Sequence, residues 1–103
     1  MGTWFITGSS KGLGAAIARH ALAHGDDVAA TARDPQTVTD ALGDGERLLA
    51  LPLDVTSPEQ VRAAIDATVQ RFGRIDVVVN NAGRPLMGAL EEMPTNRFEI
   101  SST

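Results

Sequence analysis

Apolar residues alternate along this chain between short unbroken runs and longer stretches with helical spacing. Residues 3–7 (TWFIT) are β-branched and aromatic and close on Gly8, the pattern of a buried strand. LGAAIARHALAH follows with helical character and stops at Gly25; Leu13, Ile17 and Ala21 are its predicted inner face. Residues 28–32 (VAATA) predict a second strand. Asp34 is a candidate N-cap with Pro35 at the first helical position, and Val38 and Leu42 are the apolar positions of a short helix ended by Gly43. Residues 48–53 (LLALPL) predict a third strand, at a sheet edge because Pro52 has no N–H to donate. Ser57, Pro58 and Gln60 form an S-x-x-Q capping box. Val61, Ile65, Thr68 and Phe72 then fall on one helical face, and Gly73 is a C-terminal stop. Residues 75–79 (IDVVV) are apolar after Asp76, as in a strand buried on both faces.

The predicted order is β-α-β-α-β-α-β. Short connections and strict alternation predict an α/β domain: one parallel sheet with helices on both sides, joined by right-handed crossovers. There is no repeat, low-complexity tract or linker, so residues 1–103 read as a single domain. The irregular stretch is 80–96. The last seven residues, RFEISST, read as the opening turns of a helix. On that reading the domain is incomplete after its fourth strand. That strand would be a bare apolar edge, through which the chain is expected to self-associate.

Composition narrows the function. With 43% hydrophobic and 21% charged residues the chain has the balance of an ordinary globular domain. A net charge of −4 argues against non-specific binding of nucleic acids or anionic membranes, which need a basic face. No apolar run approaches the roughly 20 residues of a membrane span. The absence of cysteine removes thiolate chemistry and disulfides, and fits a reducing, cytoplasmic compartment.

The candidate chemistry lies between the first strand and the first helix, in ITGSSKGLGAAIA. Gly8 permits a sharp turn out of the strand, Gly12 lets a ligand approach the backbone, and Gly14 lets the helix pack closely. The helix N-terminus offers unpaired amides and a partial positive charge that suit a diphosphate. Ser9 and Ser10 are expected to add hydroxyl donors. A nucleoside-triphosphate loop is excluded, because no Gly-Lys-Ser/Thr triplet is present.

Thr7-Gly8-Ser9-Ser10-Lys11-Gly12-Leu13-Gly14 resembles the T-G-x-x-x-G-x-G motif of the short-chain dehydrogenase/reductase family. Asn80-Asn81-Ala82-Gly83 is similar to its N-N-A-G, at the end of the expected fourth strand. Asp54-Val55 resembles its adenine-contacting pair, and Gly73-Arg74-Ile75-Asp76 its approach to strand four. The resemblance covers about residues 3–93; the extended dehydrogenases, T-G-x-x-G-x-x-G, space their glycines differently. It implies a Rossmann-like doubly wound sheet, a dinucleotide cofactor, and hydride transfer between nicotinamide and a carbonyl or alcohol. It implies that Asp54 accepts from the adenine amino group, with Val55 beside it. Asn81, Ala82 and Gly83 would lie against the ribose and central strands. Asn80 is expected to tie strands together rather than touch cofactor.

Thr31-Ala32-Arg33 stands where NAD-binding folds carry a carboxylate for the ribose 2′-hydroxyl. Arg33 suits a 2′-phosphate, and Lys11 adds a second cation nearby. NADP(H) is therefore expected over NAD(H); Asp34 is better used as a helix cap. His20 and His24 share a helix face, but no third ligand accompanies them, so no metal is expected. Glu91 and Glu92 read as a solvated helix start. Leu86, Met87 and Leu90 read equally as a substrate mouth or as a cover for the sheet.

The family's catalytic Y-x-x-x-K motif has no counterpart. The chain contains no tyrosine, and Lys11 is its one lysine. Where family members resemble F-E-x-N-V, this chain has Phe98-Glu99-Ile100-Ser101-Ser102, and the stretch before Phe98 is shorter by about one helical turn. No catalytic residue is assigned. The expectation is a cofactor-binding N-terminal portion, inactive alone. A non-catalytic nucleotide-binding module and a truncated remnant are the alternatives.

Overall fold

The computed structural model describes residues 2–9, 12–54 and 56–80, and the backbone of 98–101. Among these the order is β1 (Thr3–Ile6), α1 (Gly12–Ala23), β2 (Asp27–Ala32), α2 (Pro35–Leu42), β3 (Leu48–Pro52), α3 (Pro58–Phe72), β4 (Val77–Asn80) and β5 (Phe98–Ser101). The strands form one parallel sheet in the order β3-β2-β1-β4-β5. This is the expected α/β, Rossmann-like arrangement. Pro52 lies at the end of edge strand β3, as its missing N–H requires.

Alternation along the central strands sends side chains into two cores, because strand periodicity is two. Phe5, Ala29 and Val78 meet Val61, Ala64 and Ile65 of α3 on one face. Ile6, Val28, Ala30 and Val79 meet Ala18 and Ala21 of α1 and Val38 of α2 on the other. Both faces of β1 and β4 are thus covered, which the unbroken apolar runs anticipated.

Local signals shape the helices as expected. The Asp34 carboxylate accepts from Gln36 N at 3.0 Å and caps α2, with Pro35 following. Ser57 Oγ accepts from Gln60 N at 3.4 Å and caps α3. Gly73 closes α3 in the left-handed region at φ 89°, its N–H donating to Val69 O at 2.7 Å.

Two expectations are corrected. The first concerns α1: of its expected inner face Ala21 is buried and Ile17 packs half-buried against the core, but Leu13 is not inward, and Gly14, Ala15 and Ala18 are buried instead. A helix turns its smallest side chains inward when close approach to the sheet buries more surface than a large residue held at a distance. Leu13 stands in the first turn, 53% exposed. The second concerns residues 97–103: their described part, Phe98–Ser101, is a strand and not a helix. It pairs in parallel with β4, Val77 against Phe98 and Asn80 against Ser101. Phe-Glu-Ile-Ser alternates apolar with polar, and the backbone groups of β4 supply the partners. β4 is therefore not a bare edge, and the association hazard inferred from it loses its basis.

At the opposite end from the glycine loop, two aspartates hold the start of β1. Asp76 Oδ2 accepts from Thr3 N at 2.8 Å, and Arg74 pairs with Asp76 Oδ1. Asp26 accepts from Gly2 N and from the Trp4 indole, each at 3.0 Å. These N–H donors hold the Asp26 carboxyl below its ordinary value, the Gly2 amide foremost and the Trp4 indole with it, against the opposing effect of burial.

Candidate functional site

The topology itself marks a site. From β1 the chain moves through α1 to β2 on one side, then through β3 and α3 to β4 on the other. In open α/β sheets, ligands sit at the carboxyl ends of the strands where this reversal occurs. Thr7, Gly8 and Ser9 leave β1 at that point, and Asn80 ends β4 beside them. Thr7 N donates to Val79 O at 3.0 Å, and Thr7 Oγ1 to Asn80 Oδ1 at 3.4 Å. Asn80 is only 4% exposed, so it ties β4 to β1, the role expected of it.

The loop from β1 into α1 is shaped by glycine. Gly8 and Gly12 adopt φ values of 65° and 63°, in the left-handed region that penalises any other residue. A Cβ built on Gly12 would meet nothing within 4 Å. Among the described residues the position opens on unfilled space, beside a helix terminus whose first amides have no intrahelical partner. The first turn of α1 carries no acidic residue, and Gly14 is buried beneath it. That room, the free first-turn N–H groups and the lack of a carboxylate in the first turn of α1 fit a dinucleotide's diphosphate.

Ser9 departs from expectation. Its residue is 0% exposed and its hydroxyl donates to Ile6 O at 2.8 Å, while its N–H donates to Thr31 O at 3.0 Å. Thr31 Oγ1 donates to the same Ile6 carbonyl at 3.0 Å. The hydroxyl expected for the ligand instead fastens the loop to β1 and β2. Sequence reasoning missed Thr31, because nothing local to VAATA reveals a partner 25 residues upstream.

Arg33 follows β2 directly, is exposed, and has no hydrogen bond or ion pair among the described residues. The neighbouring Asp34 carboxylate is engaged in capping α2. At the end of β3, Asp54 Oδ1 accepts from Thr56 N at 2.9 Å and from Thr56 Oγ1 at 2.6 Å. The capping box closes differently from its sequence reading. Ser57 N donates to Asp54 O at 2.9 Å, so Gln60 Oε1 takes Asp54 N at 2.8 Å instead. Ser10, Lys11, Val55, Asn81, Ala82 and Gly83 lie outside the described residues, as do Leu86, Met87, Leu90, Glu91 and Glu92.

His24 Nδ1 meets His20 O at 3.0 Å near the end of α1, and no cluster of potential ligands exists among the described residues. No helix among them is long and apolar enough to cross a membrane.

Comparison with known proteins agrees with this geometry. The short chain dehydrogenase family model matches residues 3–101. Oxidoreductase BOA17 of Botryotinia fuckeliana is 48% identical over 97 residues, which cover 92% of this chain and 35% of that protein. The N-domain of a bacterial malonyl-CoA reductase, solved with NADP, superposes with a TM-score of 0.73 at 40% identity, covering 81% of this chain and 17% of that one. The 3-ketoacyl-(acyl-carrier-protein) reductase of Brucella melitensis, solved with NADH, gives a TM-score of 0.75 at 32% identity, covering 80% and 34%. The chain thus spans about a third of the length of the curated relatives it matches. With the motif on the loop, the sheet order around it and the family match all in agreement, this chain belongs to the short-chain dehydrogenase family.

Proposed function

We propose that these residues form the NADP(H)-binding portion of an oxidoreductase that moves hydride between NADP(H) and a carbonyl or alcohol. The diphosphate rests on the first-turn amides of α1, over Gly8, Gly12 and Gly14, with Ser10 and Leu13 at its rim. Arg33 and Lys11 take the 2′-phosphate. Asp54 and Val55 hold the adenine, and Asn81, Ala82 and Gly83 border the ribose. One observation carries the choice of NADP(H) over NAD(H). At the end of β2 the Arg33 guanidinium is exposed and has no partner among the described residues, while the adjacent Asp34 carboxylate caps α2. A guanidinium attracts a phosphate, where a carboxylate there would repel it. Relatives solved with NADP and with NADH place both nucleotides within the family's reach.

These 103 residues contain no tyrosine, and Lys11 is their one lysine. We assign them binding and no hydride transfer of their own, in a reducing cytoplasmic setting that the absence of cysteine favours. The test is a pair of titrations on Arg33→Glu. NADPH affinity should fall about 100-fold, as for the loss of two charge-assisted hydrogen bonds, and NADH affinity by less than about threefold. Equal losses reject the 2′-phosphate assignment. Carbonyl-dependent oxidation of NADPH by the pure chain, abolished by Gly12→Val, would reject the division of labour.

A further inference from the structure

Asp54 is tied to the start of α3 by four hydrogen bonds. Its carbonyl accepts from Ser57 N, its N–H donates to Gln60 Oε1, and its Oδ1 accepts from both the amide and the hydroxyl of Thr56. Helix α3 does not need all of these. Ser57 Oγ already caps it through Gln60 N, and Pro58 begins it. Thr56 and Gln60 are both exposed, so neither contributes to a core. Their polar groups converge instead on one loop aspartate.

We propose that Thr56 and Gln60 are positioning residues for the purine base: they hold the Asp54 carboxylate in one orientation so that it reads the 6-amino group of adenine. The inference rests on the dinucleotide reading above. A surface aspartate otherwise samples several rotamers, and ordering it on binding lowers affinity. With Oδ1 bound twice by Thr56, and the backbone on either side pinned by Gln60 and Ser57, the plane of the carboxylate is set before the nucleotide arrives. A carboxylate so fixed accepts from an amino group and is repelled by a carbonyl oxygen at the same place. Preorganisation therefore appears as base selectivity rather than as affinity for the rest of the nucleotide.

The experiment is calorimetric titration of the chain with NADPH and with its hypoxanthine analogue, in which a 6-oxo group replaces the 6-amino group. The unaltered chain should prefer adenine by about tenfold, the factor for one hydrogen bond to a charged group. Thr56→Val, which keeps the amide and removes the hydroxyl, should reduce that preference to about two- to threefold. Gln60→Met should do the same, with the analogue's affinity unchanged within about twofold in both. Thr56→Ser and Gln60→Glu should restore the preference. Full selectivity in Thr56→Val and Gln60→Met overturns the proposal and leaves the dinucleotide reading standing. Equal binding of both bases by the unaltered chain overturns it too, while leaving the diphosphate seat intact. A chain that takes up neither nucleotide removes the dinucleotide reading, and the positioning role falls with it.

Discussion

Gly12→Ala separates what the fold needs from what the ligand needs. At φ 63° an added Cβ strains the backbone by about 1–2 kcal/mol. It meets no atom of the described residues within 4 Å, so no packing cost against them accompanies the strain. For a domain of this size, 1 kcal/mol corresponds to about 4–8 °C in melting temperature. Gly73 and Gly43 are internal controls: their φ values are 89° and 82°, their Cβ positions are equally open, and they close α3 and α2 away from the glycine loop. Alanine at Gly12 or Gly73 should therefore lower stability by similar amounts in urea or thermal melts, and alanine at Gly43, whose ψ of −158° lies in a region open almost only to glycine, by at least as much. NADPH binding should diverge. A methyl at Gly12 stands in the room assigned to the diphosphate and should weaken NADPH at least about 30-fold by calorimetry. The Gly73 and Gly43 variants should bind within about twofold of the unaltered chain. Equal binding by all three variants, or Gly12→Ala binding as well as the parent, would refute the placement of the diphosphate.

The other predictions concern what holds the site in place. Ser9→Ala and Thr31→Val each remove a hydroxyl from Ile6 O and should cost about 1 kcal/mol in urea unfolding. Because they share one acceptor, their effects should couple by more than about 0.5 kcal/mol in a double-mutant cycle, and strict additivity would count against the shared anchor. Asn80→Ala should destabilise by about 1–3 kcal/mol, since Thr7 loses a buried partner; an unchanged urea midpoint would show that the β1–β4 tie is dispensable. Asp26 has a folded pKa below its unfolded value, so its stabilisation is complete above the ordinary carboxylate range and is lost as pH falls through the folded value. The stability gap between the parent and Asp26→Asn should therefore be constant near neutrality and shrink in acid. Fluorescence of the single tryptophan, Trp4, whose indole donates to Asp26, is the readout; a gap that does not narrow would show that the carboxylate charge is not what holds the start of β1.

What the sequence determined alone was whatever depends on neighbours a few residues apart. Asp34 and Ser57 cap their helices, Gly73 ends one, Pro52 marks an edge, and the alternation of runs gives the succession of strands and helices, because capping, turn conformation and periodicity act within a turn or two. The glycine spacing likewise located the loop that the sheet order places at its reversal point. Tertiary structure decided everything that needs a distant partner. The inward face of α1 was settled by how closely the sheet accepts alanine, which moved Leu13 out to solvent. Residues 98–101 became a strand because β4 supplied a ladder that their own pattern could not disclose. The Ser9 hydroxyl turned to Ile6, and Gln60 to Asp54 in place of Ser57, since a hydrogen-bonding group takes the partner that folding brings within about 3 Å, whatever its distance along the chain.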